Sequence, residues 1–459
     1  MNFIHEKINK EALNIFFDRM TKSNNEIHNI QIYINNECML RYAQIPYTCT
    51  DVREVYSLSK TFTSTVVGIA SDMGLLSVED YVLDFFPEIE TENKYFKMLK
   101  IKHVLSMNTG HERCVMSEMR LAENSVEGFF SVEAKFEPGT HFTYNTGATC
   151  LLGAIINRVT GKHFFDFACE KLFYPLGIYD ISWSKCHDGN CQCGTGLHIS
   201  NDDIIKLGLM YYNNGIYNGK RILSEEWIKS ATSAISDNSQ NGTHDWSSGY
   251  GYQIWVNEKD GFRGDGASGQ LCVVAPKYNA VVAVQAMCSN MQDELDGIFE
   301  LLENIEDNKD SIVEWNFEPL PFKKIENKID KIFKLDNNPA DLRTLHITLN
   351  NDILKLSFSD GNGIQTILAG NGKWIKSEFF AKHMIPTLFT IMTTEYYEKI
   401  KTIGSFKTED GKIIMCVRYS INPHTEYFEI EISEGKLTLD ISSNYRIEEL
   451  KHFIGTILK

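Results

Sequence analysis

The chain has 459 residues, 43% of them hydrophobic, enough for a sizeable core and for more than one domain. Its formal net charge of −16 excludes nucleic acid and anionic membrane surfaces as natural partners, because both require a positive footprint. No apolar run reaches membrane-spanning length and the first residues carry charges throughout, so the expectation is a cytoplasmic protein with no membrane partner.

In chain order, Met1 to Arg19 reads as an amphipathic helix with Ile8, Leu13, Phe16 and Phe17 on its apolar face. His28 to Ala43 reads as a hairpin turning at Asn35-Asn36. The next stretch, Ser57-Leu58-Ser59-Lys60, places a hydroxyl and an amine three residues apart at the start of a helix, on one face. Free N–H groups at that end favour developing negative charge, and burial of Lys60 would favour the neutral amine that can accept a serine proton. The same spacing recurs at Ser182–Lys185, in a loop or strand, and at Ser433–Lys436, in a hairpin turn. Only the Ser57 copy opens a core helix, Thr61 to Leu76, apolar nearly all round.

Ser77 to Asp80 reads as a helix start, and Ile101 to Met107 as a short helix ended by Asn108-Thr109-Gly110. After the turn at Pro138-Gly139, a short strand leads into a helix from Gly147 to Thr160, closed by Gly161. Tyr144 lies just ahead of that helix, either as a proton relay near a lysine or as a packed ring. Cys186-His187-Asp188-Gly189-Asn190-Cys191-Gln192-Cys193 is either a metal-binding cluster or a loop of reduced thiols. No second half-site accompanies it, and the odd total of 11 cysteines does not look like a disulfide framework. Ser200 and Ser224 cap two further helices. Gly249 to Trp255, Leu271 to Ala275 and Val281 to Ala286 read as an antiparallel meander. The glycines at 264, 266 and 269 would let backbone approach a substrate. Trp246, Tyr250 and Tyr252 are either pocket walls or ordinary surface and core aromatics. A helix from Asp293 to Asn304 completes a domain over residues 1–305. A polar linker over 306–328 follows, then a β-rich domain over 329–459 built from alternating runs such as Leu345–Leu349 and Tyr427–Ile432.

Taken in order, these stretches resemble the serine β-lactamase and penicillin-binding-protein superfamily, closest to its class C β-lactamase-related esterases, D-amino-acid peptidases and amide hydrolases. The resemblance rests on Ser57–Phe62, Leu105–His111, Pro138–Gly147, Asn218–Trp227 and Gly249–Trp255. It implies an α+β fold of the β-lactamase/transpeptidase-like type, an antiparallel sheet flanked by helices plus a helical subdomain, with the C-terminal antiparallel β domain appended. It further implies acyl transfer to Ser57 with Lys60 as base or as the group that lowers its pKa. Tyr144 would assist proton transfer, and the backbone N–H groups of Ser57 and Ala267, beside Gly266, would form an oxyanion hole. No metal and no cofactor would take part, and the partner would be a small ester, amide or peptide.

Two departures stand out. The family's Tyr-x-Asn is Tyr144-Asn145-Thr146, so that either Thr146 replaces the Asn or Asn145 serves. The family's Lys/His-x-Gly is Gly264-Asp265-Gly266, so the cation that meets a substrate carboxylate is missing, and Arg263 is the adjacent candidate to replace it. These departures also leave room for a non-catalytic member whose cleft binds a ligand or peptide, or for a C-terminal domain that is itself the binding module.

Overall fold

Asn35 and Asn36 take φ of 50° and 65°, the left-handed region that a two-residue hairpin turn demands. They join the strands Glu26–Ile34 and Glu37–Ala43 as expected. This hairpin supplies two strands of a seven-stranded antiparallel sheet. Its order is His5–Glu6, Glu37–Ala43, Glu26–Ile34, Ala280–Met287, Gln270–Ala275, Phe262–Gly266 and Trp255–Val256. The computed structural model describes residues 5–6, 8–242, 244–305, 328–338, 341–350, 352–360, 363–380, 399–444 and 451–458. The expected linker over 306–328 lies outside them except for its last residue. The described residues form two compact units, one from 5–43 and 49–305, the other from 44–48 and 328–458. Residues 44–48 fall with the second, where Tyr47 carries the Arg418 guanidinium 5.1 Å over its ring.

In the first unit, one helix lies on the sheet through a glycine. A Cβ at Gly208 of the Asn201–Tyr212 helix would stand 2.5 Å from Val281 Cγ1 and 2.9 Å from Cys272 Sγ, so the helix backbone lies directly on the strand side chains there. The Lys10–Lys22 and Met291–Glu303 helices pack on each other at Gly297 and are tied by Arg19, which donates to Asp293 and Glu300. The first helix starts later than the sequence pattern implies. Asn9 caps it by accepting from Glu11 N, and the residues ahead pair as strand His5–Glu6. At the centre of the helical half is Ser59–Asp72, buried at every position from Ser59 to Ala70. The Thr146–Thr160 helix runs against it and ends at Gly161 with φ 66°.

Three local expectations fail. Gly249 and Gln253 take φ of 117° and 61°, so the run Gly249–Trp255 is irregular and only Trp255–Val256 is strand. Residues 141–145 form no strand, and Ser77–Asp80 is a turn ahead of a 3₁₀ segment, Val82–Phe85.

The second unit is a ten-stranded sheet from Ile329–Leu335 to Lys451–Ile457, antiparallel between neighbours. The edge strand Ile364–Asn371 also pairs in parallel, through Gly370 and Asn371, with Ser405 and Phe406 of Lys399–Glu409, the strand next to the opposite edge, so the sheet curls round on itself. Alternate residues, among them Leu345, Ile347, Leu349, Leu354 and Leu356, form its core.

Replacing Gly208 with valine inserts three carbons where there is no room for one. It is expected to cost about 1–3 kcal/mol in urea unfolding, with the midpoint lowered and the slope unchanged.

Candidate active site

A sharp turn puts Ser57 forward. Tyr56 takes φ 45°, a conformation that costs a non-glycine residue about 1–2 kcal/mol, and it precedes Ser57 directly. Flanking bonds hold it: Val55 N donates to Leu197 O at 2.9 Å, and Ser59 Oγ donates to Tyr56 O at 2.5 Å. Ser57 sits in the 3₁₀ segment Tyr56–Leu58, partly exposed, and the buried helix begins two residues on.

Lys60 is 1% exposed and aims back at that turn. Its Nζ lies 2.9 Å from Ser57 Oγ, 3.1 Å from Thr146 Oγ1 and 2.6 Å from the carbonyl of Gly194. Burial drives its pKa down to about 7, with Asp265 among the groups that oppose the shift. Nζ also lies 4.8 Å from the centre of the Tyr144 ring. Burial pushes the Tyr144 phenol up, and a hydrogen bond with Ser57 pulls the other way. The structure therefore brings Ser57, Lys60, Tyr144 and Thr146 together.

Asn145 does a different job. Its Oδ1 accepts from Gly147 N and Val115 N, both at 3.0 Å, and caps the Thr146–Thr160 helix. Of the two candidates for the family's asparagine, Thr146 is the one that reaches Lys60.

The glycines of the Phe262–Gly266 strand serve packing rather than substrate approach. A Cβ at Gly264 would stand 2.4 Å from Leu58 Cδ1 and 2.7 Å from Thr61 Oγ1, and one at Gly266 would stand 2.2 Å from Val55 O. The strand thus lies directly against the Ser57 turn, and Ala267 begins the exposed hairpin end just beyond. The space where a cation at 264 would stand is filled by Leu58 and Thr61.

Arg263 does not replace that cation. It is 0% exposed and bound to Asp265, Asn257 and the Asp245 carbonyl, which corrects the expectation that it faces substrate. Tyr250 and Tyr252 are buried in the core, and Trp246 packs against the Arg263 guanidinium. Cys186, Cys191 and Cys193 are buried while His187 is exposed, and among the described residues no group of three or more His, Cys, Asp or Glu converges on a point. Ser182, Lys185, Ser433 and Lys436 are all solvent-exposed.

Two partners escaped the sequence reading. The Gly194 carbonyl takes the shortest bond from Lys60, and a backbone acceptor leaves no residue-type signal. Gln253 ties three helical segments: its side chain accepts from Thr149 Oγ1 at 2.6 Å and donates to Leu105 O at 2.8 Å, while its carbonyl accepts from Thr61 Oγ1 at 3.3 Å. Its positive φ in a run that otherwise looks like strand is what places it there.

The Beta-lactamase family profile matches residues 33–301. The chain belongs to this family. It is 22% identical over 273 residues to the 6-aminohexanoate-dimer hydrolase of Paenarthrobacter ureafaciens, covering 54% of this chain and 69% of that one. Among solved structures it is similar to the octameric penicillin-binding protein homologue from Pyrococcus abyssi, with TM-score 0.53, 16% identity, and 97% and 99% of the two chains covered. It is also similar to EstCE1, a hydrolase with promiscuous acyltransferase activity, with TM-score 0.54, 14% identity, and 64% and 97% covered. The fold is β-lactamase/transpeptidase-like with a C-terminal β-rich domain, and the family is one of hydrolases. No helix among the described residues is long and apolar enough to cross a membrane.

Thr146→Val and Asn145→Ala should separate the two neighbours. Losing the Thr146 bond to Lys60 is worth about 1 kcal/mol, so turnover should fall about 5- to 10-fold with little change in melting temperature. Losing the cap should cost about 1–2 kcal/mol of stability, read in a thermal melt.

Proposed function

We propose that this chain is a serine hydrolase that forms an acyl-enzyme on Ser57 and acts on a small ester or amide. The observation that carries this reading is the buried Lys60 amine, 2.9 Å from the Ser57 hydroxyl. A neutral amine has two N–H groups and one lone pair. The Gly194 carbonyl and Thr146 Oγ1 use the two N–H groups, which leaves the lone pair for the Ser57 proton.

In the acylation step, Ser57 Oγ attacks the substrate carbonyl carbon as its proton passes to Lys60 Nζ or through Tyr144 Oη. The N–H groups of Ser57 and Ala267 stabilise the oxyanion. On collapse, the bond to the leaving group breaks, and that group takes a proton through Tyr144. Water then attacks the acyl-enzyme, gives up a proton by the same route, and releases the acid and Ser57. The filled space at Gly264 and the buried Arg263 favour substrates without a carboxylate beside the scissile carbonyl. The relative named a 6-aminohexanoate-dimer hydrolase and the neighbour EstCE1, a hydrolase with promiscuous acyltransferase activity, support hydrolysis by way of acyl transfer.

Intact mass after treatment with a fluorophosphonate should show one adduct on wild type and none on Ser57→Ala. Lys60→Met should slow labelling by about 10²- to 10⁴-fold. An adduct that persists on Ser57→Ala would refute the assignment. A penicillin should label far more slowly than a neutral aryl ester.

The pH dependence follows from Lys60. The base is active when neutral, and its pKa in the fold is about 7. The rate constant for acylation should be level above that value and fall about tenfold per pH unit below it. A flat profile from pH 5 to 8 would exclude Lys60 as the base.

A further inference from the structure

Tyr144 lies outside regular structure, in the extended residues just ahead of the Thr146 helix. Its backbone is not held by a strand ladder, so the direction of its hydroxyl depends on what its ring touches. The ring stacks on Trp255, with centroids 5.4 Å apart and planes at 27°. Trp255 is walled by Tyr250, edge-on at 4.8 Å, and by Phe142 at 6.2 Å. The Arg263 guanidinium lies 5.7 Å from the Trp255 ring centre and 4.8 Å from that of Trp246. Contacts therefore run unbroken from Trp246 through Arg263, Trp255 and Tyr144 to Lys60 Nζ, 4.8 Å from the Tyr144 ring.

Arg263 is itself immobilised. Nε donates to Asp265 Oδ2 at 2.8 Å, Nη1 to Asn257 Oδ1 at 2.9 Å, and Nη1 and Nη2 to the Asp245 carbonyl at 3.3 and 3.2 Å. A planar group pinned by four bonds is a rigid surface for a ring to lie against.

We infer that Arg263 is a positioning residue for the proposed reaction: through Trp255 it fixes the Tyr144 ring so that the phenol hydroxyl meets Ser57. The inference rests on the reading of Tyr144 as a proton carrier. It gives the buried arginine a role in rate that does not require it to touch substrate. It also explains why the guanidinium brings Asp265 with it: the two act on the Tyr144 phenol in opposite directions, Asp265 upward and Arg263 downward, so the column holds the ring without placing an uncompensated charge beside it.

The test is a double-mutant cycle on the full chain. Arg263→Met is made together with Asp265→Asn, so that the carboxylate bound to Nε is not left charged, while Asp245, 3.9 Å from Nη1, keeps its bonds from Glu258 N and Gln292 Nε2, and each is combined with Tyr144→Phe. Asp265→Asn alone is the control. Trp246→Phe, which loosens the outer side of the guanidinium and removes the indole hydrogen bond to Asp265 while leaving the guanidinium's own hydrogen bonds in place, is a milder second variant. The readouts are the rate of fluorophosphonate labelling at Ser57 and the kcat and KM for a neutral aryl ester such as p-nitrophenyl acetate.

In the Tyr144 background, the Arg263→Met/Asp265→Asn pair should lower kcat by about 10- to 100-fold, the cost of a misplaced catalytic group, with KM changed by less than about 2-fold. Trp246→Phe should give a smaller fall of the same kind. In the Tyr144→Phe background, both should change the rate by less than about 2-fold, because the hydroxyl they position is gone. Falls of equal size in both backgrounds would overturn the inference while leaving Tyr144 in its role. A Tyr144→Phe enzyme as fast as wild type would overturn the reading of Tyr144 and the inference with it.

Discussion

A buried amine governs this fold. Lys60 is 1% exposed, and an ammonium in that position would lose most of its hydration. The protein meets the cost in two ways. It lets the group approach neutrality, with a pKa near 7, and it supplies three oxygens within 3.1 Å. Those oxygens come from the Ser57 turn, from the first residue of the Thr146 helix, and from the loop at Gly194. Three segments distant in sequence must converge for one side chain to be tolerated, so the packing of the helical half and the geometry of the site are one requirement.

The second requirement is close approach. The Phe262–Gly266 strand touches the Ser57 turn because positions 264 and 266 have no side chain, and Tyr56 accepts a positive φ to present Ser57 to that edge. Leu58 and Thr61 fill the room a cation would need at 264. The same glycine that permits the contact therefore leaves no room for a cation at that position.

Much of this was legible in the sequence. The hairpin at Asn35-Asn36, the core helix after Ser57 and the glycine-ended Thr146–Thr160 helix each carry a local signal that tertiary packing reinforces. The choice between Asn145 and Thr146 was not legible, because both are hydrogen-bonding residues one position apart. Only the turn into the helix decides that Asn145 caps while Thr146 faces Lys60. The run Gly249–Trp255 misleads because its alternation of aromatic and small residues imitates a strand. Gln253 breaks that strand, trading ladder bonds for side-chain bonds to Leu105 and Thr149. Arg263 was visible as a cation next to the right motif, but which face of the strand it takes follows from register. Residues 264 and 266 face Ser57, so 263 and 265 face away from it.

That alternation has a consequence for electrostatics. The side of the strand turned from Ser57 holds Arg263, Asp265 and, behind the Ser268-Gly269 turn, Glu294 from the Met291–Glu303 helix. Glu294 is fully buried, and burial raises its pKa to about 8. At neutral pH its carboxyl is mostly protonated, so it adds little charge behind the turn that begins at Ala267. Arg263 meanwhile is matched by Asp265 within 2.8 Å. Asp245, 2% exposed, sets a second carboxylate 3.9 Å from the guanidinium, so the acids behind the strand are only partly offset, and Asp265 still reaches forward, opposing the effect of burial on the Lys60 amine and, against Arg263, raising the Tyr144 phenol.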